Sequence, residues 1–178
     1  MALKEKALKR LTEKLTAAGV DFTLGASWLL CQHGILDVYH DFDVVVPAEQ
    51  AEQADKVLSR LGMRSEAETR DGCFHASYHF DGADVDLCGG LFFAEYGLRA
   101  VLNQESVSEK RSVLGAEVPL GHLEDWLVWY ALMGRESRFE AILAHLQSRP
   151  SVRRERFSAC VDGPLPEALR ARLAGFNV

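Results

Sequence analysis

The chain has 178 residues and a mass of 19.8 kDa, which is room for one compact domain or for one domain with a helical extension. Its composition is 48% hydrophobic, 26% charged and 9% aromatic, which excludes a wholly disordered, collagenous or coiled-coil chain. The net charge of −6 is uneven, because residues 1–14 and 149–178 each carry +3 and the middle therefore carries −12. An acidic middle argues against a general nucleic-acid coat and suits a site for a metal or a cationic substrate, although surface charge that simply varies explains it equally well.

The first half of the chain alternates between helical and extended patterns. Apolar residues three and four apart predict an amphipathic helix that Gly19 ends. Helical spacing returns after Gly25 and again after Pro47, and apolar runs between these helices predict strands. The predicted order is a helix at 2–18, a strand at 20–24, a short buried helix at 26–33, a strand at 41–46 and a helix at 48–61.

The second half begins with hairpins and ends in helices. Asp81-Gly82, between two apolar runs, is a strong hairpin signal, and Gly115 marks a weaker hairpin. The predicted strands are 73–80, 83–88, 111–114 and 117–120. Residues 122–147 have helical spacing with a break near Gly134, and one or two short helices follow.

This order of elements predicts the fold class. Helices that alternate with strands, followed by hairpins, indicate an α/β domain whose mixed sheet is flanked by helices. We place this domain at residues 1–120 and a helical C-terminal part, packed on it, at residues 121–178.

Several features bear on the compartment. No apolar run approaches the ~20 residues of a membrane span, and the first residues contain no apolar signal core. We therefore expect a cytoplasmic protein with no membrane partner. The four cysteines, Cys31, Cys73, Cys88 and Cys160, include no C-x-x-C pair, so neither a zinc knuckle nor structural disulfides are expected.

The most informative motif is an acid pair at the start of an apolar strand. Asp41 and Asp43 are two residues apart before three valines, and strand residues at this spacing point to the same face. Two adjacent carboxylates repel each other, and burying either one unpaired is costly. A divalent cation relieves both effects, and hard oxygen ligands suit Mg²⁺. The alternative is that both acids cap a turn before the strand.

A second acid pair lies on the predicted strand 83–88. Asp84 and Asp86 again share one face between apolar neighbours. If this strand lies beside the strand 41–46, three carboxylates converge on one metal site. Such a site serves phosphoryl transfer, because metal ions neutralise phosphate charge and a carboxylate accepts the proton of the attacking hydroxyl.

The third element is Gly25-Ala26-Ser27, which ends a strand and opens a helix. A glycine lets the backbone approach a ligand, a helix start offers free N–H groups to an anion, and Ser27 adds a hydroxyl. By itself the tripeptide is a weak signal and is usually an ordinary strand–helix turn. It is not a P-loop, because no glycine-lysine-serine/threonine follows.

Taken together, these motifs resemble a known family. Gly25-x-Ser27, a short helix and Asp41-x-Asp43 in a valine strand resemble the minimal nucleotidyltransferase fold of the DNA polymerase β superfamily. Val85-Asp86-Leu87 resembles the third-acid strand of the small lincosamide and aminoglycoside adenylyltransferases. Val118-Pro119 and Leu123-Glu124-Asp125 resemble the start of the helical part in small nucleotidyltransferases related to abortive-infection toxins. The resemblance covers about residues 5–140.

The resemblance implies a function and a role for each motif. The chain would transfer an NMP group, with Mg²⁺, from ATP or another NTP to a hydroxyl of a small-molecule or RNA acceptor. Gly25, Ala26 and Ser27 would hold the phosphates of the nucleotide. Asp41 and Asp43 would bind Mg²⁺, and Asp86 would be the third acid, as ligand or general base. The Val-Asp-Leu frame favours Asp86 over Asp84 for that role.

Two alternatives remain beside this function. Relatives often carry lysines in the helix that corresponds to residues 125–138, and this chain has none there. A catalytically degenerate member that acts as a binding module is therefore a second hypothesis. A toxin of a toxin–antitoxin pair, with an antitoxin partner and tRNA as acceptor, shares the chemistry and is a third.

Two further clusters have a structural and a functional interpretation. Trp126, Trp129 and Tyr130 have the spacing of a buried helix face, or of an aromatic wall for a flat ligand. His75 and His79 alternate along one strand, which suits a hydrated sheet face better than a metal site.

Overall fold

The computed structural model describes residues 2–65, 68–70 and 73–176, which form a mixed sheet flanked by helices. The helices are α1 (Ala2–Ala17), α2 (Ala26–Gln32), α3 (Ala51–Leu58), α4 (Leu123–Leu132), α5 (Glu136–Gln147), α6 (Arg156–Ala159) and α7 (Glu167–Leu173). Short 3₁₀ helices span Ala48–Gln50, Gln104–Ser106 and Ala174–Phe176. The strands are β1 (Thr23–Leu24), β2 (Asp41–Val46), β3 (Met63–Arg64), β4 (Glu68–Arg70), β5 (Cys73–Phe80), β6 (Ala83–Gly89), β7 (Phe92–Phe93), β8 (Leu98–Arg99), β9 (Val107–Val113) and β10 (Ala116–Gly121).

The main sheet has the strand order β3-β5-β6-β2-β1-β10-β9, and β4 also pairs with β5. The β2–β6 and β1–β10 pairs are parallel, and the other pairs in this sheet are antiparallel. β7 and β8 form a separate two-stranded sheet. The predicted α/β class with a mixed sheet is therefore confirmed.

Alternation along the central strands separates a buried face from a polar face. Phe42, Val44, Val85 and Leu87 are at most 1% exposed and lie on the face that α1 and α3 cover. The residues between them, including the acids, point to the opposite face. The apolar half of each strand thus holds the sheet to its helices and leaves the acids on the other side.

Several predicted elements are confirmed, among them the helix over 2–18 and the strands over 41–46 and 73–80. The predicted Asp81-Gly82 turn joins β5 to β6, and both residues have positive φ angles, of 51° and 73°, as a type I′ turn requires. Gly134, with φ of 67°, separates α4 from α5.

Other predicted bounds are wrong. The strand over 20–24 is only two residues long, because the Val20 N–H donates to the Leu15 carbonyl and the Asp21 N–H donates to the Gln50 side chain. The helix over 48–61 begins as a 3₁₀ helix and ends at Leu58. β9 begins at Val107, earlier than predicted. The prediction was too short because the charged residues in the middle of this strand obscure the alternation of apolar and polar residues.

The helical C-terminal part shares the core of the sheet domain. α4 is buried on nearly all sides, and its apolar residues belong to the same hydrophobic cluster as those of β2 and β6. Asp125 on α4 is 1% exposed and pairs with Arg156 of α6, which is 5% exposed. The domain boundary after residue 120 stays a prediction.

Among the described helices, none is both long and apolar enough to span a membrane. The cytoplasmic location stays a prediction.

Removing Asp125 should destabilise the protein strongly. Nε and Nη2 of Arg156 donate to its two carboxylate oxygens at 2.9 and 2.5 Å, so Asp125→Ala would leave a buried guanidinium without a counter-ion. We expect the free energy of unfolding, measured by urea denaturation, to fall by about 3–5 kcal/mol. Combining Asp125→Leu with Arg156→Met should restore much of that loss, and Arg170→Ala on exposed α7 should change it by less than about 0.5 kcal/mol. An Asp125→Ala variant as stable as wild type would contradict this role for the pair.

Candidate active site

The two acid pairs lie side by side on neighbouring strands. β2 and β6 pair in parallel with Asp41 opposite Asp84 and Asp43 opposite Asp86. Directly opposed residues on adjacent strands point to the same face, so four carboxylates form a patch there. The sequence predicted the shared face of each pair, and the strand pairing brings the two pairs together.

Asp43 lies at the electrostatic centre of this patch. Burial first, and then the charges of Asp41 and Asp86, raise the pKa of Asp43 to about 7. Near neutral pH, a carboxyl group with this pKa is partly protonated, and a bound cation would favour its charged form. Asp43 is therefore the member of the patch with most to gain from a bound metal.

The electrostatics favour Asp86 over Asp84 as the third acid. Asp86 acts on the pKa of Asp43, whereas Asp84 is not among its perturbing charges. The Asp84 carboxylate instead pairs with Nδ1 of His79 at 2.7 Å, and both side chains are exposed. These contacts agree with the preference drawn from the Val-Asp-Leu frame, and the role of Asp86 as third acid stays a prediction.

Residues 25–27 form the turn that closes the site on the α2 side. The Gly25 N–H donates to the Asp43 carbonyl at 3.0 Å, and the Ser27 hydroxyl donates to a carboxylate oxygen of Asp41 at 3.4 Å. Ala26 has a φ of 46°, a left-handed conformation that costs a non-glycine residue about 1 kcal/mol or more. The turn therefore holds a strained residue directly beside the acids, as is common at functional sites.

Packing against Trp126 requires a glycine at position 25, apart from any role in ligand binding. A methyl group at Gly25 would lie 1.9 Å from Cζ2 of Trp126, so the indole ring occupies the space that a side chain would need. Trp126 also lies against Gly121 at the end of β10. The sequence offered a ligand contact or an ordinary strand–helix turn as the role of Gly25 and gave no sign of this packing, because the tryptophan that contacts it is far along the chain.

The three aromatic residues of α4 have different positions. The Trp129 indole N–H donates to the Cys160 carbonyl at 3.0 Å, which makes Trp129 a core residue. The Trp126 ring packs on Gly25 and on the Tyr130 ring. The pKa of Tyr130 is raised by burial first and then by the charge of Asp43. The core interpretation holds for all three residues, which are at most 7% exposed.

Arg138 on α5 is a half-buried cation that was not among the predicted site residues. Its positive charge lowers the pKa of Tyr130 and also that of Cys31 on α2. The only sequence signal was the absence of lysine from this helix, which left arginine as the cation there.

The cysteine nearest the acids carries no reactive thiolate. Cys88 follows Asp86 on the same face of β6, and burial raises the pKa of its thiol well above neutral pH. It therefore stays protonated and packs as an apolar group.

The donor set fits Mg²⁺ in its chemistry. Asp41, Asp43 and Asp86 offer hard oxygen ligands. The pKa of Asp43 is raised by burial first and then by the charges of Asp41 and Asp86, and a bound cation would offset both effects. Across the described residues, no three histidine, cysteine, aspartate or glutamate side chains already surround a common metal position. The convergence of the three carboxylates on one metal ion therefore stays a prediction, supported by the pairing of Asp43 with Asp86 on neighbouring strands.

Two cavities lie away from this patch. One of about 930 Å³ opens between α1 and the β9–β10 hairpin, and one of about 210 Å³ lies near the start of α4. Neither is lined by any of the six predicted site residues, so they do not support the expected cleft over the acids. We base the function on the carboxylate patch, because it places Asp41, Asp43 and Asp86 on one face of the sheet and includes a carboxyl group whose pKa is raised to about 7.

Comparison with known proteins gives an answer at the level of the fold. No protein-family model and no curated sequence matches the chain. Solved structures do match it. The solution structure of the antibiotic-resistance factor ANT(2'')-Ia has a TM-score of 0.61 at 17% identity, covering 98% of this chain and 95% of that one. A candidate nucleotidyltransferase from Thermotoga maritima has a TM-score of 0.57 at 16% identity, covering 81% and 92%.

The chain has a nucleotidyltransferase fold. An antigenic nucleotidyltransferase-like protein from Paracoccidioides brasiliensis is a further neighbour, with a TM-score of 0.55 at 14% identity over 97% of this chain and 86% of that one. At such identities the likeness establishes the nucleotidyltransferase fold and leaves the activity to be argued from the residues. The predicted resemblance is thus confirmed for the fold, and the roles of the six site residues remain proposals.

Replacing Asp43 by asparagine should stabilise the protein at high pH in EDTA. The pKa of Asp43 is about 7 when folded, above its ordinary 3.8, so its contribution to stability is complete below pH 4 and is lost as the pH rises through 7. The uncharged amide avoids this loss, which amounts to at most about 4 kcal/mol. Urea denaturation of both proteins between pH 4 and 8 measures the difference. Asp84→Asn should show no such gain, and an Asp43→Asn variant that is markedly less stable at pH 8 would identify these acids as structural caps.

Replacing Gly25 by alanine should disturb Trp126. The added methyl group forces the indole ring or the turn to move, at a cost of about 1–3 kcal/mol in unfolding free energy. Denaturation gives the stability, and tryptophan fluorescence reports the displaced ring. Gly175→Ala is the matched control, because nothing lies within 4 Å of the added methyl there. Equal effects of the two substitutions would show that Trp126 does not constrain Gly25.

Proposed function

We propose that this protein is a Mg²⁺-dependent nucleotidyltransferase that moves an NMP group from an NTP to a hydroxyl of a small-molecule acceptor. One observation carries the proposal: Asp41 and Asp43 lie beside Asp86 on a parallel strand, within a nucleotidyltransferase fold. The neighbour ANT(2")-Ia has been solved in complex with adenylyl-2"-tobramycin, a nucleotidylated small molecule, at a TM-score of 0.57, 14% identity and 98% coverage of this chain and 99% of that one. This supports a small acceptor over RNA.

Each group of site residues has its own role in the proposed reaction. Asp41, Asp43 and Asp86 would hold Mg²⁺, which when bound would offset the charge of the phosphates. Gly25, Ala26 and Ser27 would lie against the phosphates, with the Ser27 hydroxyl turning from Asp41 to a phosphate oxygen. The acceptor oxygen forms a bond to the α-phosphorus, the bond from that phosphorus to the bridging oxygen breaks, and pyrophosphate leaves. Asp86 accepts the proton of the acceptor hydroxyl.

The open half of the sheet gives the acceptor a direction of approach. In-line displacement requires the attacking oxygen opposite the leaving group. With the phosphates toward Ser27 and α2, the acceptor comes from the β5 side. There His75, His79 and Asp84 are exposed on the acid face, whereas the alternating residues of β5 are buried.

A binding module without transfer is the second candidate. It is favoured by the absence of lysine from residues 125–138 and by carboxylates that are not already grouped around a metal position within the described chain. Such a module would bind a nucleotide and release no pyrophosphate. The toxin–antitoxin hypothesis stays a prediction.

Thermal melting with EDTA, with Mg²⁺ and with Mg²⁺ plus each of the four NTPs tests nucleotide binding. We expect wild type to melt several degrees higher with Mg²⁺ and the preferred NTP, because a ligand at about 100 times its Kd adds about 2.7 kcal/mol to the stability. Asp43→Asn and Asp86→Asn should lose this shift, and Asp84→Asn, the matched control, should keep it.

Pyrophosphate release with a panel of hydroxylated acceptors separates the two candidates. Release that depends on Mg²⁺ and on Asp86 supports transfer. An NTP-induced shift without release from any acceptor favours the binding module. A wild-type protein that no NTP stabilises would refute both.

A further inference from the structure

Asp84 and His79 extend the acid face of the sheet from β6 onto β5. Nδ1 of His79 lies 2.7 Å from a carboxylate oxygen of Asp84, and the two residues are directly opposed in the β5–β6 pair. Because His79 belongs to β5 and its partner belongs to β6, this hydrogen bond inclines the imidazole toward the acids. The side chains are 53% and 69% exposed, and a surface pair of this kind adds little to stability. The pair is therefore accessible to a ligand.

His79 and Asp84 lie at one end of a line of polar side chains that crosses the site. At its other end, the Ser27 hydroxyl donates to Asp41 at 3.4 Å. Asp41 is opposite Asp84 in the β2–β6 pair, and Asp84 is opposite His79. The proposed function puts the phosphates of the nucleotide at the Ser27 end. His79 therefore lies on the side from which the acceptor approaches.

The hydrogen bond to Asp84 leaves the second nitrogen of the His79 ring unused. A carboxylate accepts hydrogen bonds, so the proton of a neutral imidazole lies on Nδ1, and Nε2 keeps a lone pair. Nothing in the described part of the chain bonds to Nε2. This nitrogen can accept a hydrogen bond from a hydroxyl group of a ligand.

His79 and Asp86 are close enough to contact the same small molecule. Asp86 is two residues beyond the direct partner of His79 on β6, which makes it the diagonal neighbour of His79. Diagonal neighbours on one face are about 7–8 Å apart, within reach of aromatic and long side chains. Met63, opposite His79 on β3, is 75% exposed and adds an apolar contact beyond the imidazole. A hydroxyl at Asp86 and a second one at Nε2 therefore fit on one molecule of the size of a sugar.

We infer that His79 binds the acceptor, with Nε2 accepting a hydrogen bond from a hydroxyl that neighbours the attacking one. Asp84 is the positioning residue that orients the imidazole. The inference rests on the proposed function, because it needs the attacking hydroxyl at Asp86. It adds a requirement that the acceptor carry a second hydroxyl close to the first. His79 takes no part in the bond changes at phosphorus, since the proton of the attacking hydroxyl goes to Asp86.

Steady-state pyrophosphate release with Mg²⁺ and the preferred NTP tests this assignment. The acceptor probes are kanamycin A, lincomycin and methyl α-glucopyranoside, which all carry neighbouring hydroxyls. In His79→Asn the amide takes the place of Nδ1 but does not reach the place of Nε2. This variant should raise the KM for the acceptor about three- to tenfold and leave kcat and the KM for the NTP unchanged. His79→Gln, whose amide reaches the place of Nε2, should recover most of the loss.

A double-mutant cycle tests the role of Asp84. Asp84→Ala should raise the KM for the acceptor by less than His79→Asn does, because it frees the imidazole to turn without removing it. The double variant should be no worse than His79→Asn, since Asp84 acts through the imidazole. All of these variants should keep the NTP-induced melting shift. Arg170→Ala on exposed α7 is the control and should match wild type throughout.

The outcomes separate this inference from the function beneath it. If wild type transfers to a probe and His79→Asn keeps the KM for that probe within twofold, the inference is wrong and the proposed function stands. Equal losses in His79→Asn and His79→Gln would also overturn it, because a hydrogen bond at the place of Nε2 would not matter. If wild type transfers to none of the three probes, the inference fails, and the NTP melting shift and the wider acceptor panel decide the proposed function separately.

Discussion

Strands β2 and β6 pair in parallel with Asp43 opposite Asp86, and the rest of the site depends on this register. The pairing directs Phe42, Val44, Val85 and Leu87 into the core beneath α1 and α3. A shift of β2 by one residue would exchange its two faces, burying the acids and exposing the apolar side chains. Hydrophobic burial on one face thus specifies the position of the carboxylates on the other.

The acids destabilise the folded state, and the hydrophobic core offsets this cost. Asp43 is desolvated and lies beside two like charges, which is why its pKa is raised to about 7. The adjoining turn adds a strained Ala26. Local features that oppose folding are expected where a protein binds a ligand. The hydrophobic core offsets their free-energy cost in the free protein, and a bound ligand reduces that cost.

The helical C-terminal part completes the site from the other side of the turn. Trp126 fills the space above Gly25 and Gly121, and so holds α4 against the end of β1 and the end of β10. The Arg135 N–H donates to the Tyr130 carbonyl, which fixes the start of α5 beside the end of α4. The buried pair of Asp125 and Arg156 ties α6 to the same helix. The nucleotidyltransferase fold is therefore closed by packing between segments that are distant in sequence.

Local patterns in the sequence determined the α/β class, most helices and strands, and the shared face of each acid pair, because side chains repeat every 3.6 residues in a helix and every two in a strand. They did not reveal β3, β4, β7 and β8, which are too short to show a period, or the true length of β1, whose flanking N–H groups bond to α1 and Gln50. Only the tertiary structure decided which acids are neighbours and that Trp126 is what excludes a side chain at Gly25. Each of these depends on contacts between residues far apart in the chain, which are set by the packing of whole elements and leave no periodic signal in the sequence.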